Sequence, residues 1–106
     1  MDMKGTLTGI DWQNPHAYFH MDVKDANGTV TSWTLETLSV VAMNRGGTKR
    51  QDFLDNMGKT ISVRACPAKS GTASRAAAET LILSDGRVRV VGQDVEGSKR
   101  AVRADN

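Results

Sequence analysis

The stretch that decides the fold is WQNPHAYFHMDV, residues 12–23. Asn14-Pro15 interrupts any regular pattern, because proline lacks a backbone N–H and restricts the residue before it to extended geometry. After this break, apolar and polar side chains alternate with a period of two, as in a strand with one buried face. We expect that buried face to consist of Ala17, Phe19, Met21 and Val23.

Working outward from this strand, similar signals predict five more strands and two tight turns. Asn27-Gly28 supplies the positive backbone angles that a short hairpin requires. Ser84-Asp-Gly86 marks a second turn between two apolar runs. The predicted strands cover residues 4–12, 17–23, 29–36, 59–66, 75–83 and 87–91.

Residues 39–58, between the third and fourth predicted strands, carry helix and loop signals. Ser39 is a candidate N-cap, and Gly46-Gly47 is the expected end of a helical turn or two. We expect the rest, residues 48–58, to be a polar connection. Its apolar anchors would be Phe53, Leu54 and Met57.

These elements predict an all-β fold: a small OB-like barrel of five or six antiparallel strands, with one short helix after strand three. Closure into a barrel removes exposed strand edges; a small two-sheet sandwich is the competing arrangement. Residues 1–91 would form a single domain, and residues 92–106 a charged, loosely ordered tail. The expected core includes Phe19, Met21, Val23, Trp33, Leu35, Ile61 and Val63.

Composition excludes several classes of protein. The 106 residues include 14 basic and 12 acidic side chains, a net charge of +2, which is too balanced for the basic footprint of a nucleic-acid-binding domain. A single cysteine, Cys66, excludes an intramolecular disulfide. No apolar run approaches the roughly 18 residues of a membrane span. No signal peptide is evident, so we expect either a cytoplasmic protein or a mature chain from which the signal has been removed.

Residues 5–36, Leu38-Ser39, and the later runs PAKSG and LSDGR form a shared pattern, of which Trp-x-Asn-Pro-His is the most specific element. In this pattern the sequence resembles domain-of-unknown-function family 6152, a bacterial family of small exported domains. The resemblance implies a precursor with a signal peptide, a periplasmic location and a small β-barrel, without an established reaction. Members usually carry a histidine-rich segment before the first strand.

Residues 12–20 hold both histidines and the single tyrosine of the chain, so this segment is the candidate site. Its residues could form an outward face that stacks a ligand or docks a partner. The alternative is structural: Asn14 would bond nearby backbone, Pro15 would fix the strand entry, and Trp12 would cover the barrel mouth. The candidate ligand- or partner-binding residues are Trp12, Asn14, His16, Tyr18, His20, Trp33 and Glu36.

A metal site is the second functional hypothesis. On a strand, His16 and His20 would lie about 13 Å apart, at roughly 3.3 Å per residue, which is too far to share one ion. Each would need partners from elsewhere, and the candidate ligand set is His16, His20 and Met21. Imidazole with thioether ligands would suit Cu(I).

The sequence gives little support for catalysis. Glu36 near a histidine could act as an acid–base pair, but Cys66 has no adjacent histidine, and we expect it to be buried or incidental. The favoured interpretation is a non-enzymatic periplasmic binding or accessory domain without a cofactor. Its partner would be a small molecule or a periplasmic protein, and nucleic acid is not expected. A periplasmic copper-binding protein is the alternative, and the oligomeric state stays open.

Overall fold

The computed structural model describes residues 1–67 and 74–92, and within these ranges the chain forms six strands and two helices. All six predicted strands are present, with ends shifted by one or two residues. The elements are β1 Asp2–Asp11, β2 Tyr18–Lys24, β3 Val30–Glu36, α1 Val40–Arg45, α2 Arg50–Asp55, β4 Thr60–Pro67, β5 Arg75–Ile82 and β6 Val88–Val90.

Five strands close into a barrel in the order β1–β2–β3–β5–β4, and β4 returns to β1. The sequence-based prediction of a small OB-like barrel is therefore confirmed. One detail of it is wrong: β3 pairs with β5 in parallel, whereas the other pairs are antiparallel. The short strand β6 adds to β5 outside the closed ring.

The predicted core is confirmed, because the period of two along each strand sends alternate side chains inward. Phe19 and Met21 are fully buried, and Leu35, Ile61 and Val63 belong to the same cluster. The remaining two members of the expected set, Val23 and Trp33, are partly buried and pack against that cluster.

Helix α1 follows the sequence signals closely. Ser39 is its N-cap, and the Oγ of that residue accepts a hydrogen bond from the N–H of Ala42 at 3.1 Å. The helix ends at Arg45, and Gly47 beyond it has a φ of 94°. A left-handed conformation of this kind is common just after a helix and costs glycine little.

Helix α2 corrects the prediction of a single helix and of a polar connection over residues 48–58. Its first turn is held by Asp52, whose carboxylate accepts from the N–H of Lys49 at 2.9 Å. Of the three expected anchors, Phe53 is fully buried, whereas Leu54 and Met57 are 39% and 37% exposed. One aromatic side chain therefore accounts for most of the apolar packing of α2 against the barrel.

The turn between β5 and β6 is built around Asp85. Its carboxylate accepts hydrogen bonds from the backbone N–H of Arg87 at 3.0 Å and from the guanidinium of the same residue at 2.7 Å. The backbone bond first, and the arginine side chain second, hold the pKa of Asp85 below its usual value. Beyond β6 the predicted tail lies outside the described residues, except for Gly92.

Candidate functional site

The Trp-x-Asn-Pro-His segment is hydrogen-bonded to the start of α1. Oδ1 of Asn14 accepts a hydrogen bond from the N–H of Val40, the first residue of that helix, at 3.1 Å. Just beyond, Ala17 exchanges backbone bonds with Thr37 and Leu38, at 2.9 and 3.3 Å. Asn14 therefore bonds backbone 26 residues away rather than nearby, and the segment holds the start of β2 against the entry to α1.

His16 has a defined orientation at the rim of the barrel. Its Nδ1 lies 2.9 Å from the carbonyl oxygen of Thr37 and 3.5 Å from Oε2 of Glu36. Because a carbonyl oxygen only accepts, Nδ1 carries the hydrogen, and in the neutral ring Nε2 is left as an acceptor. The side chain is 49% exposed. His16 can therefore offer one ring nitrogen to a ligand while the other fixes its position.

His20 differs from His16 because both of its ring nitrogens are engaged. Nε2 lies 2.9 Å from Oδ2 of Asp11, and Nδ1 lies 3.2 Å from Oγ1 of Thr34. Gly9, directly across on β1, leaves room for the ring, since a Cβ there would approach it to 3.2 Å. His20 thus ties β1, β2 and β3 together on the outer surface of the barrel.

A row of cross-strand partners organises that outer surface. Tyr18 pairs with Glu36, Glu36 with Ala77, and Ala77 with Cys66. Directly paired residues point to the same side of a sheet, so these four share the outer surface, and all of them are exposed or partly exposed. The guanidinium carbon of Arg75 lies 5.9 Å from the centroid of the Tyr18 ring, in a cation–π arrangement.

Both tryptophans are partly buried and pack against the core, as the core prediction expected for Trp33; the binding-face hypothesis had named them as candidate site residues. Trp33 alternates with Thr34 and Glu36 along β3 and packs against the core. The Trp12 ring is centred 5.9 Å from that of Phe53, which in turn lies 5.6 Å from Phe19. Trp12 thus packs over the end of the barrel, as the structural interpretation of the motif expected.

A cleft of ≈ 450 Å³ opens beside this row, where β3 meets β5. Such a volume is within the range of small-molecule sites, about 300–1,000 Å³. Alanines of β5 line it together with two pairs of polar side chains, His16 with Glu36 and Cys66 with Glu79. Neighbouring strands are about 4.8 Å apart, so Glu36 and Cys66, each one strand from Ala77, lie about 10 Å apart across the cleft.

Glu79 lines the cleft and lies in a β-bulge. Arg64 pairs with Thr80 and Ala65 with Ala78, so Glu79 is the extra residue between them. Bulges re-aim side chains and are common beside binding sites. Glu79 is only 8% exposed, and its Oε1 accepts a hydrogen bond from the thiol of Cys66 at 3.3 Å. Its carbonyl accepts from two backbone N–H groups, of Val91 and Gly92, both at 3.0 Å.

Sequence reasoning missed several cleft residues. Of the two alternatives for Cys66, buried or incidental, the first is wrong, because Cys66 is exposed; its thiol donates a hydrogen bond to Glu79, and the second alternative stays a prediction. Glu79, Arg75 and Ala77 were not singled out. One signal was available: Glu79 is the single acidic residue in the apolar run RAAAETLIL, residues 75–83. An acidic side chain in an otherwise apolar strand is costly to bury without a partner, so it marks a candidate site residue.

The structure does not bring His16, His20 and Met21 together as one ligand set. Met21 is fully buried in the core, on the opposite side of β2 from its neighbour His20, because successive side chains of a strand alternate. Within residues 1–67 and 74–92, no group of three or more histidine, cysteine, aspartate or glutamate side chains is arranged to hold a metal ion.

Comparison with known proteins gives one match. The family described as "Family of unknown function (DUF6152)" matches residues 1–77. No curated protein and no solved structure matches the chain. In the described part of the chain, no helix is long and apolar enough to cross a membrane. The match thus bears out the resemblance seen in the sequence.

Proposed function

Because the chain belongs to the family of unknown function DUF6152, whose description assigns no activity, we propose a function from the site itself. The domain is a non-enzymatic binding module that holds a small ligand, or a short segment of a partner protein, in the cleft between β3 and β5. The observation that carries this proposal is the convergence of two polar pairs, His16 with Glu36 and Cys66 with Glu79, on one cleft of ≈ 450 Å³.

The chemistry of the cleft suits recognition better than catalysis. The thiol of Cys66 donates its hydrogen to the carboxylate of Glu79. His16 points its bonded nitrogen at a backbone carbonyl, which fixes the ring without pairing it to a nucleophile. A few polar groups around an apolar floor are typical of ligand sites, where they set orientation and specificity.

A cleft-filling variant tests the proposal. Ala77 lies on the cleft floor and is exposed, so Ala77→Trp should fill the cleft and leave the core intact. Ile82→Trp is the matched control, because Ile82 lies on the same strand, is 43% exposed and does not line the cleft. Thermal unfolding of both variants and the parent would be followed against a library of amines, carboxylates, sugars, nucleotides and short peptides.

A ligand that binds only the folded protein raises its Tm by mass action. At least one compound should therefore raise the Tm of the parent and of Ile82→Trp, and leave that of Ala77→Trp unchanged. If every stabilising compound acts equally on all three proteins, the cleft is not the binding site and the proposal is wrong.

We further propose a periplasmic location. Its support is the resemblance to exported bacterial domains that the Trp-x-Asn-Pro-His segment carries. Osmotic-shock fractionation of the native host, with the protein expressed from its own gene, tests this directly. Recovery with cytoplasmic marker enzymes would contradict it.

A further inference from the structure

The buried carboxylate of Glu79 is the feature of the cleft that most needs a partner. In the residues that the structure describes, it forms no ion pair, and its hydrogen bond comes from a thiol. A thiol is a weak donor, and burying an ionised carboxylate is costly unless a cation or strong donors compensate for the lost water. Because Glu79 lines the cleft, a ligand in the cleft can supply that cation.

The other cleft residues indicate what kind of cation would fit. Arg75, the guanidinium that lines the cleft, lies over the ring of Tyr18 rather than on Glu79. Ala76, Ala77 and Ala78 line the floor between the two polar pairs. Ala76 and Ala78 are buried in the core, whereas Ala77 is exposed. The methyl group of Ala77 offers apolar contact and no hydrogen bond, which suits an aliphatic chain. A second carboxylate, Glu36, lies on the far side of that floor.

We propose that the cleft binds an alkylammonium group: a primary ammonium bonded to Glu79, with its aliphatic chain lying over the alanine floor. This inference rests on the proposed function, since it names the ligand chemistry of the same cleft. Two sources carry that chemistry, a free aliphatic diamine and the lysine side chain of a partner peptide. In a diamine, the second ammonium would face Glu36; in a peptide, the backbone would lie at the cleft mouth.

Calorimetric titration of the intact chain with five probes tests the proposal. Three carry the ammonium: pentylamine, 1,5-diaminopentane, and a lysine blocked at its amino and carboxyl termini. Two match in length without it, pentane-1,5-diol and glutarate. The ammonium probes should bind, and the diol and glutarate should bind at least tenfold more weakly. The tightest ammonium probe identifies the source, because a diamine gains from Glu36 and a blocked lysine gains from its amide groups.

Two variants assign the binding to Glu79. Glu79→Gln keeps the shape of the side chain and removes its charge, so the Kd of the ammonium probes should rise at least tenfold. Asp2→Asn removes the same charge from a side chain that is 82% exposed and does not line the cleft, and should leave the Kd within twofold. Should Glu79→Gln fail to fold, as judged by circular dichroism, Ala77→Trp takes its place and should abolish binding.

The outcomes separate this inference from the proposed function. If the ammonium probes do not bind, or bind equally well to Glu79→Gln, the alkylammonium proposal is wrong. If glutarate or the diol instead binds in a manner that Ala77→Trp abolishes, the cleft is still a ligand site, and the inference about its ligand fails alone. If Ala77→Trp changes the binding of none of these probes and of no library compound, both proposals fail.

Discussion

Truncation of Phe53 to alanine is the sharpest test of how the Trp-x-Asn-Pro-His segment is supported. The Phe53 side chain is fully buried, and its ring contacts those of Trp12 and Phe19 at centroid distances of 5.9 and 5.6 Å, with tilted planes. Full burial of a phenylalanine stabilises by about 1.5–3 kcal/mol. Each well-placed aromatic pair adds about 0.5–1.5 kcal/mol.

Phe53→Ala should therefore lower the free energy of unfolding by about 3–5 kcal/mol, the usual range for such a truncation in a core. For a domain of this size each kcal/mol corresponds to a Tm shift of roughly 4–8 °C, so the Tm should fall by about 12 °C or more. The emission of Trp12 should shift to longer wavelength as water reaches the indole. Urea and thermal unfolding, followed by circular dichroism and fluorescence, measure both effects.

The neighbouring residue provides the control. Leu54 lies on the same helix and is 39% exposed, so Leu54→Ala should change stability by about 1 kcal/mol at most. If Phe53→Ala costs no more than Leu54→Ala, α2 does not seal the barrel end. The description of Trp12 as a side chain held there by Phe53 would then be wrong.

Three further predictions follow from the contacts of the site. Asn14→Ala should destabilise the protein by about 1 kcal/mol, because it removes a hydrogen bond from the first turn of α1. His16→Ala should destabilise it by only about 0.5 kcal/mol, because the His16 ring is half exposed. Thermal melts at a pH above the histidine range measure both; a larger loss for His16→Ala would make His16 the stronger anchor. Gly92→Ala should destabilise the protein by about 2 kcal/mol or more, since a Cβ there would overlap the carbonyl oxygen of Ala78. Gly46→Ala is the control, because its nearest contact would be at 3.6 Å. Equal melting temperatures of the two variants would contradict the close approach of Gly92 to Ala78. Cu(I) titrated against a competing chelator should bind weakly or not at all, and stoichiometric binding lost in His16→Ala would revive the copper hypothesis.

The strands and most of the core were predictable because their signal is local. Alternation around Phe19 and Met21 has a period of two, and only one face of such a strand can be buried. The turn residues and the Ser39 cap depend on backbone geometry within a few residues. For the strands, the turns and the cap of α1, tertiary contacts reinforce a conformational preference that is already present in the local sequence.

The parts that were missed depend on contacts between distant segments. Helix α2 buries one large apolar side chain, Phe53, and its Asp52 pairs with Arg89, 37 residues further along, at 3.1 Å. The sequence of residues 48–58 alone shows neither the end of the barrel that Phe53 packs against nor Arg89. Glu79 is the extra residue of a bulge in the pairing of β4 with β5. The alternation of side chains along the strand does not by itself reveal this bulge.

The parallel junction of β3 with β5 has a consequence for motion. Among the described residues this junction has three paired positions, 34–36 with 75–77, whereas each of the other barrel pairings has five or more. Glu36 and Ala77 belong both to the junction and to the cleft lining. Amides at this junction should exchange with deuterium sooner than those of β1, because opening it breaks the fewest bonds. A ligand bound across the junction of β3 with β5 would slow deuterium exchange of these amides. Binding in the cleft would therefore also stabilise the closed form of the barrel.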